Sequence, residues 1–278
     1  MRRILIPTDF SENSFNAIKY GLQLLREKCT IYLLHVNPIP VYSAAGSRLA
    51  TAPRVMEHSL VLENKRCMEN LLKRIKTFPG YQKHTFLTIT ESDHFVECIK
   101  REVLEKNIDL ILMGTKGATG LKKVSLGSNT SAVITKVKCP LLAIPEDAKY
   151  RQPREIAFPT DYHLSYDIKV LDNLIEVLSA NNATLRVLHI SRKGEELTEE
   201  QKRNKDFLHD YLNEVPHTFH TLTGSRLETS VQCFVESRDI DIVAMVAKNL
   251  NFFQRILFRP AVEEISYHME IPFLVLHE

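Results

Sequence analysis

Four of the chain's nine glycines crowd between positions 114 and 127, in Met113-Gly114-Thr115-Lys116-Gly117-Ala118-Thr119-Gly120 and then Leu126-Gly127-Ser128-Asn129-Thr130. Gly114 closes an apolar run, where the missing Cβ permits positive φ and lets backbone amides approach an anion. Gly127 and Ser128 precede a helical stretch beginning near Asn129, whose unpaired amides and positive dipole end suit a phosphate. The hydroxyls of Ser128 and Thr130 are further neutral donors. Two separated pieces of backbone thus read as one phosphate cradle, against the plain alternative of glycines serving tight turns. Lys116, Lys122 and Lys123 lie in or beside the loop, where they either screen a polyphosphate or are simply solvated.

Other nucleotide motifs fail on spacing. A P-loop needs GxxxxGK followed by Ser or Thr, which residues 114–123 do not supply. A dinucleotide fingerprint would follow the first strand, but Ile4-Leu5-Ile6 runs into Pro7-Thr8-Asp9. Asp9, at a strand's carboxyl end, either accepts hydrogen bonds from sugar hydroxyls or caps the next helix. No Walker motif, two-carboxylate metal site or positioned base is present, so catalytic residues are not assigned.

The elements that must carry these residues repeat. Ile4-Leu5-Ile6-Pro7-Thr8-Asp9-Phe10-Ser11 returns as Ile156-Ala157-Phe158-Pro159-Thr160-Asp161-Tyr162-His163, and Ile31 to Val36 returns as Leu185 to Ile190. Asp109 to Met113 and Cys139 to Ile144 return as Asp241 to Met245 and Ile271 to Leu276, both displaced by 132 residues. The chain reads as a tandem duplication, with domains over 1–148 and 149–278 and a boundary in the stretch Pro145 to Arg154.

Within the first copy, branched apolar runs alternate with stretches of helical period, the pattern of βαβ units and a parallel sheet covered on both faces. Strands are expected over Arg3–Pro7, Thr30–Val36, His84–Thr90, Leu110–Met113 and Leu141–Ile144. Helices are expected over Ser14–Lys28, capped by Ser11 or Asn13, then Met56–Lys76, Phe95–Lys106 and Asn129–Lys136. The fold class is therefore α/β, as two consecutive doubly wound, five-stranded parallel-sheet domains. The segment Asn37–Val55 lacks periodicity and is expected to be a mobile loop beside the carboxyl strand ends, where ligands sit in such sheets.

Gly114, Gly117 and Gly127-Ser128 resemble the ATP-binding signature G-x2-G-x9-G-[ST] of the universal stress protein family. The opening Ile-Leu-Ile-Pro-Thr-Asp-Phe-Ser, the strand ending in His35-Val36 and the closing Cys-Pro-Leu-Leu-Ala-Ile-Pro also look like that family, over the whole chain as two consecutive domains. The resemblance implies an adenine nucleotide alpha hydrolase-like, Rossmann-like fold. It implies that Asp9, with Thr8 before it, lies by ribose and adenine, and that Val36 backbone borders the adenine. It implies that Met113, Gly114, Lys116, Gly117, Gly127, Ser128, Asn129 and Thr130 surround ribose and phosphates. The implied cofactor is ATP, with Mg²⁺ as a further ion whose ligands are unknown. One departure is Ser92-Asp93-His94, where many members have glycine; an aspartate facing a triphosphate calls for an intervening cation, and Asp9 with Asp93 is a candidate pair.

The second copy loses the cradle. At the same offset Gly114 becomes Val246, Gly117 becomes Asn249, Gly127 becomes Arg259 and Ser128 becomes Pro260. Side chain replaces open backbone, and Pro260 also removes an amide. Residues 1–150 carry 22 Lys and Arg against 14 Asp and Glu, whereas residues 151–278 carry 14 against 20. That asymmetry favours a basic, anion-binding first domain docked on an acidic second one. The resemblance implies pairing through the last strands, Leu141–Ile144 with Phe273–Leu276.

Composition sets the remaining bounds. With 44% hydrophobic and 25% charged residues the chain matches soluble globular proteins and excludes disordered and fibrous classes. Its longest apolar runs fall far short of the roughly 20 residues of a membrane helix. Met1-Arg2-Arg3 runs straight into Ile4 with no apolar leader, so a cytoplasmic location is expected. The five scattered cysteines, without CxxC, read as buried reduced thiols. The expected function is a nucleotide-dependent regulatory or stress-response protein with ATP in the N-terminal domain only; the alternatives are a slow Mg-dependent ATPase and a nucleotide-free interaction scaffold. Expected partners are an adenine nucleotide, the other domain, a second copy in a homodimer and unidentified proteins, with no membrane and no nucleic acid.

Overall fold

Alternation along the strands sorts the core into two layers. In β1 (Arg2–Pro7) Ile4 and Ile6 face one side of the sheet and Leu5 the other. The computed structural model describes residues 1–37, 52–115, 127–163, 168–191, 195–224, 227–247 and 271–277, with backbone alone for residues 52–60 and 228.

After β1 come α1 (Glu12–Leu24), β2 (Cys29–Asn37), α2 (Ala52–Lys76), a 3₁₀ turn (Tyr81–Lys83), β3 (Thr85–Ser92), α3 (Phe95–Lys106), β4 (Leu110–Gly114), α4 (Ser128–Lys136) and β5 (Leu141–Ile144). The second half follows with β6 (Glu155–Pro159), α5 (Ile168–Asn181), β7 (Thr184–Ser191), α6 (Glu199–Tyr211), β8 (His217–Thr223), α7 (Leu227–Ser237), β9 (Ile242–Val246) and β10 (Phe273–Leu276). The α/β class holds, with both five-stranded parallel sets fused into one ten-stranded sheet of order β3-β2-β1-β4-β5-β10-β9-β6-β7-β8.

The fusion is antiparallel: Leu142 faces Leu274, Ala143 faces Phe273 and Leu141 faces Val275. Leu142 and Leu274 are equivalent positions of the two copies, so the junction is self-complementary, like a two-fold dimer interface folded into one chain. Arg2 at the start of β1 forms an ion pair with Glu176 on α5. The connecting stretch is held by α1, where the Asn16 side-chain amide lies 3.1–3.3 Å from the carbonyls of Pro145, Glu146 and Ala148.

Several boundaries shift from the expected ones for local reasons. The first helix ends at Leu24 because Leu25 turns extended (φ −74, ψ 101) while remaining buried, so apolar spacing continues past the helix. The second starts at Ala52, with Pro53 in its first turn, where a missing N–H costs nothing. Ser11 rather than Asn13 caps α1, accepting from the Ser14 amide at 3.2 Å. The expected loop Asn37–Val55 lies largely outside the described residues. The cysteines correct the uniform reading: Cys29, Cys98 and Cys139 are buried, Cys67 is half-buried and Cys233 is exposed. Burial pushes the Cys98 and Cys139 thiols up to about 11 and about 12. Among the described residues no helix is long and apolar enough to cross a membrane.

Candidate functional site

In a strand order of 3-2-1-4-5, β1 and β4 are the neighbours whose connections leave to opposite sides, opening a crevice at their carboxyl ends. Four backbone pieces meet there: the β1–α1 turn, the end of β2, the end of β4 and the start of α4.

The β1–α1 turn is tightly specified. Thr8 is buried; its amide donates to Leu34 O at 2.8 Å, and its hydroxyl lies 3.0 Å from Ser14 Oγ while accepting from Phe10 N at 3.1 Å. Phe10 takes the left-handed conformation (φ 63) and its ring packs on His35 at 4.4 Å. Asp9 is exposed, and its Oδ1 accepts from the Ser11 amide at 3.1 Å and hydroxyl at 2.5 Å. It thus shapes the turn one step before the cap, which is Ser11.

At the end of β2, His35 Nδ1 lies 2.8 Å from Thr8 O, and Asn37 Oδ1 lies 2.8 Å from the Asn64 amide nitrogen. Because the Leu34 carbonyl points at β1, strand alternation turns the N–H and C=O of Val36 to the same side, beyond the point where the chain leaves β1. A donor and an acceptor thereby border the crevice.

At the end of β4, Met113 is buried in the core beneath the crevice. A Cβ on Gly114 would lie 2.8–2.9 Å from the side-chain amide of Asn13, so this glycine makes room for α1. The Gly127 amide donates to Thr115 O, and the Thr130 hydroxyl donates to Gly114 O at 2.8 Å. Thr130 is thus buried with its hydroxyl proton on the Gly114 carbonyl, whereas Ser128 is exposed. Helix α4 begins after Gly127 with no side-chain cap, and Ser128 and Asn129 are exposed. By contrast α1 is capped by Ser11, and α6 by a reciprocal box of Thr198 and Gln201. Among the described residues no side chain caps the first amides of α4, whose N–H groups and dipole face the crevice. Lys116 and Gly117, with Gly120, Lys122 and Lys123, lie outside the described residues.

Asp93 sits beside this rim, its amide donating to Asn37 O at 3.2 Å. Its carboxylate is paired within the chain: Arg101 Nη1 lies 2.7 Å from Asp93 Oδ2, and Arg101 Nη2 lies 3.2 Å from Glu91 Oε2. Arg101 and the His94 amide hold the Asp93 carboxyl below its usual range. Among the described residues no group of three or more His, Cys, Asp or Glu is arranged for a metal. Sequence reasoning missed Asn13, Asn64 and Arg101; none belongs to a motif, and only position on an inward helix face distinguishes the first two.

A model of the universal stress protein family matches residues 1–145, which is more than half of the chain. The chain belongs to the universal stress protein family. A universal stress protein of Methanocaldococcus jannaschii is 30% identical over 153 residues, covering 53% of this chain and 84% of that protein. One from Bacillus subtilis is 27% identical over 150 residues, covering 51% and 97%. Over nearly the full length, the crystal structure of a universal stress protein from Archaeoglobus fulgidus superposes with a TM-score of 0.68 at 18% identity, covering 99% of this chain and 98% of that one. That likeness concerns the fold.

The second half of this universal stress protein carries the same strand frame, with other side chains at the ends of its strands. Val246 occupies the place of Gly114, each paired with the equivalent residue of the last strand, Leu276 and Ile144. Helix α6 reaches over the β6–α5 turn: Gln201 Nε2 donates to Asp161 O at 2.8 Å and Asn204 Nδ2 to Tyr162 O at 2.7 Å. Asn249, Arg259 and Pro260 lie outside the described residues.

Proposed function

We propose that the first half binds ATP in the crevice between β1 and β4, that the second half does not, and that occupancy of this one site is the regulatory state of the protein. The observation that carries the reading is the N-terminus of α4, without a side-chain cap among the described residues, facing the end of β4 beside the backbone N–H and C=O of Val36. The first supplies amides and a dipole for phosphates, the second a donor and acceptor pair for a base edge. Asp9 stands exposed at the same rim, where a ribose would lie. In the second half Val246 stands in place of Gly114, and Gln201 and Asn204 bind the carbonyls of the matching turn, which supports a single site per chain.

The test is calorimetric titration of the full chain with MgATP, beside the variant Gly127→Arg, which copies Arg259. Gly127 has an ordinary φ of −63, so arginine is accommodated without backbone strain. One ATP per chain, weakened about a hundredfold or more in the variant, is expected from loss of an anion site at a helix start. No saturable binding by the wild type, or two molecules per chain, overturns the proposal.

A further inference from the structure

At the far edge of the sheet, the last turn of α6 and the start of β8 bring two imidazoles together, with His209 Nδ1 3.1 Å from His217 Nε2. His217 is fixed from its other side: its Nδ1 lies 2.9 Å from the Val215 carbonyl, so the neutral ring carries its proton there and aims the Nε2 lone pair at His209. A backbone carbonyl holding the second nitrogen is the usual support of a metal-ligating histidine. Phe219, on the same face of β8, stands edge-on to both rings with centroids 5.6 Å away.

The spacing has a chemical meaning. Two nitrogens bound side by side to one ion at about 2.0–2.1 Å lie about 2.9–3.4 Å apart. His209 also belongs to the last turn of α6, where the terminal carbonyls favour a positive charge. We propose that His209 and His217 bind one divalent transition-metal ion of the zinc class, with water completing its coordination. Imidazole nitrogen selects that class over Mg²⁺, so this site is independent of the proposed nucleotide site. On binding, His209 moves its proton from Nδ1 to Nε2, so that both facing nitrogens present lone pairs.

The experiment titrates the nucleotide-free full chain with ZnCl₂ while histidine ring resonances are followed by ¹H–¹⁵N NMR. The His209 and His217 signals are expected to move together and saturate at one equivalent, and MgCl₂ to leave them in place. His209→Gln and His217→Gln should each weaken zinc at least tenfold; His209 is exposed, so its variant keeps the fold and decides the matter if His217→Gln does not. Zinc shifting other residues while these two stay fixed, or no response below millimolar zinc, overturns the site.

Discussion

The two halves are built on one frame and differ in what stands at the carboxyl ends of the strands. Both keep the left-handed residue after the first strand, Phe10 and Tyr162, and both tie a histidine Nδ1 to the preceding threonine carbonyl, His35 to Thr8 and His189 to Thr160. Both also use the aspartate to hold the amide two residues on, Asp9 for Ser11 and Asp161 for His163. A feature shared by both halves is explained by the frame. The turn therefore accounts for Asp9 as a residue type. Among the described residues, what separates the halves is Gly114 against Val246 and the α6 side chains that hold the second turn.

The largest expected effect exchanges the residues at the end of the fourth strand of each half. Gly114→Val drives a side chain into the Asn13 amide, and overpacking of this kind costs about 1–3 kcal/mol. Val246→Gly removes a buried isopropyl group and adds backbone freedom, at a cost of about 2–4 kcal/mol. Urea denaturation of the full chain measures both. Gly114→Ala combined with Asn13→Ala should recover most of what Gly114→Ala alone loses. Recovery would make the glycine a packing requirement as well as a ligand feature; additive losses would remove Asn13 as its cause.

A second contrast lies one helix away. Glu102 on α3 is buried with Oε2 lacking a hydrogen-bond partner among the described residues, and burial raises its carboxyl above the ordinary 4.5. Its counterpart 132 residues on is Phe234, a core side chain. Glu102→Leu is expected to stabilise the chain by about 1–2 kcal/mol at neutral pH, the cost of an unsatisfied buried carboxyl. The sign of the pH dependence is set by the raised folded value: the folded state holds the proton more tightly, so this residue's penalty is absent below about 4.5 and grows as pH rises through its folded pKa. The gain from Glu102→Leu should shrink toward acid, and a pH-independent gain would rule out desolvation as its source.

Strand positions were legible because buried parallel strands are runs of branched residues, and each expected strand lies within two residues of an observed one. The crevice was legible in part. Gly127 and Ser128 announced an open helix start, but nothing in the spacing separated the exposed Ser128 hydroxyl from the buried one of Thr130. Asn13 was readable only as a cap, since its role depends on β4, one hundred residues on. The pairing of Arg101 with Asp93 and Glu91 joins a helix to a strand edge, a contact no local pattern encodes.

The smallest expected stability effect tests the helix starts against each other. Thr198→Ala breaks the capping box of α6 and should cost about 1 kcal/mol. Gly127→Asp gives α4 the cap it lacks, for a gain of a few tenths of a kcal/mol. In the same step it sets a carboxylate on the amides proposed to hold phosphate, so MgATP affinity should fall while thermal stability holds or rises. Opposite signs in one variant separate binding from folding, because a weakened fold cannot produce them. Equal affinity in Gly127→Asp and the wild type would move the phosphates away from α4 and leave its open amides to water.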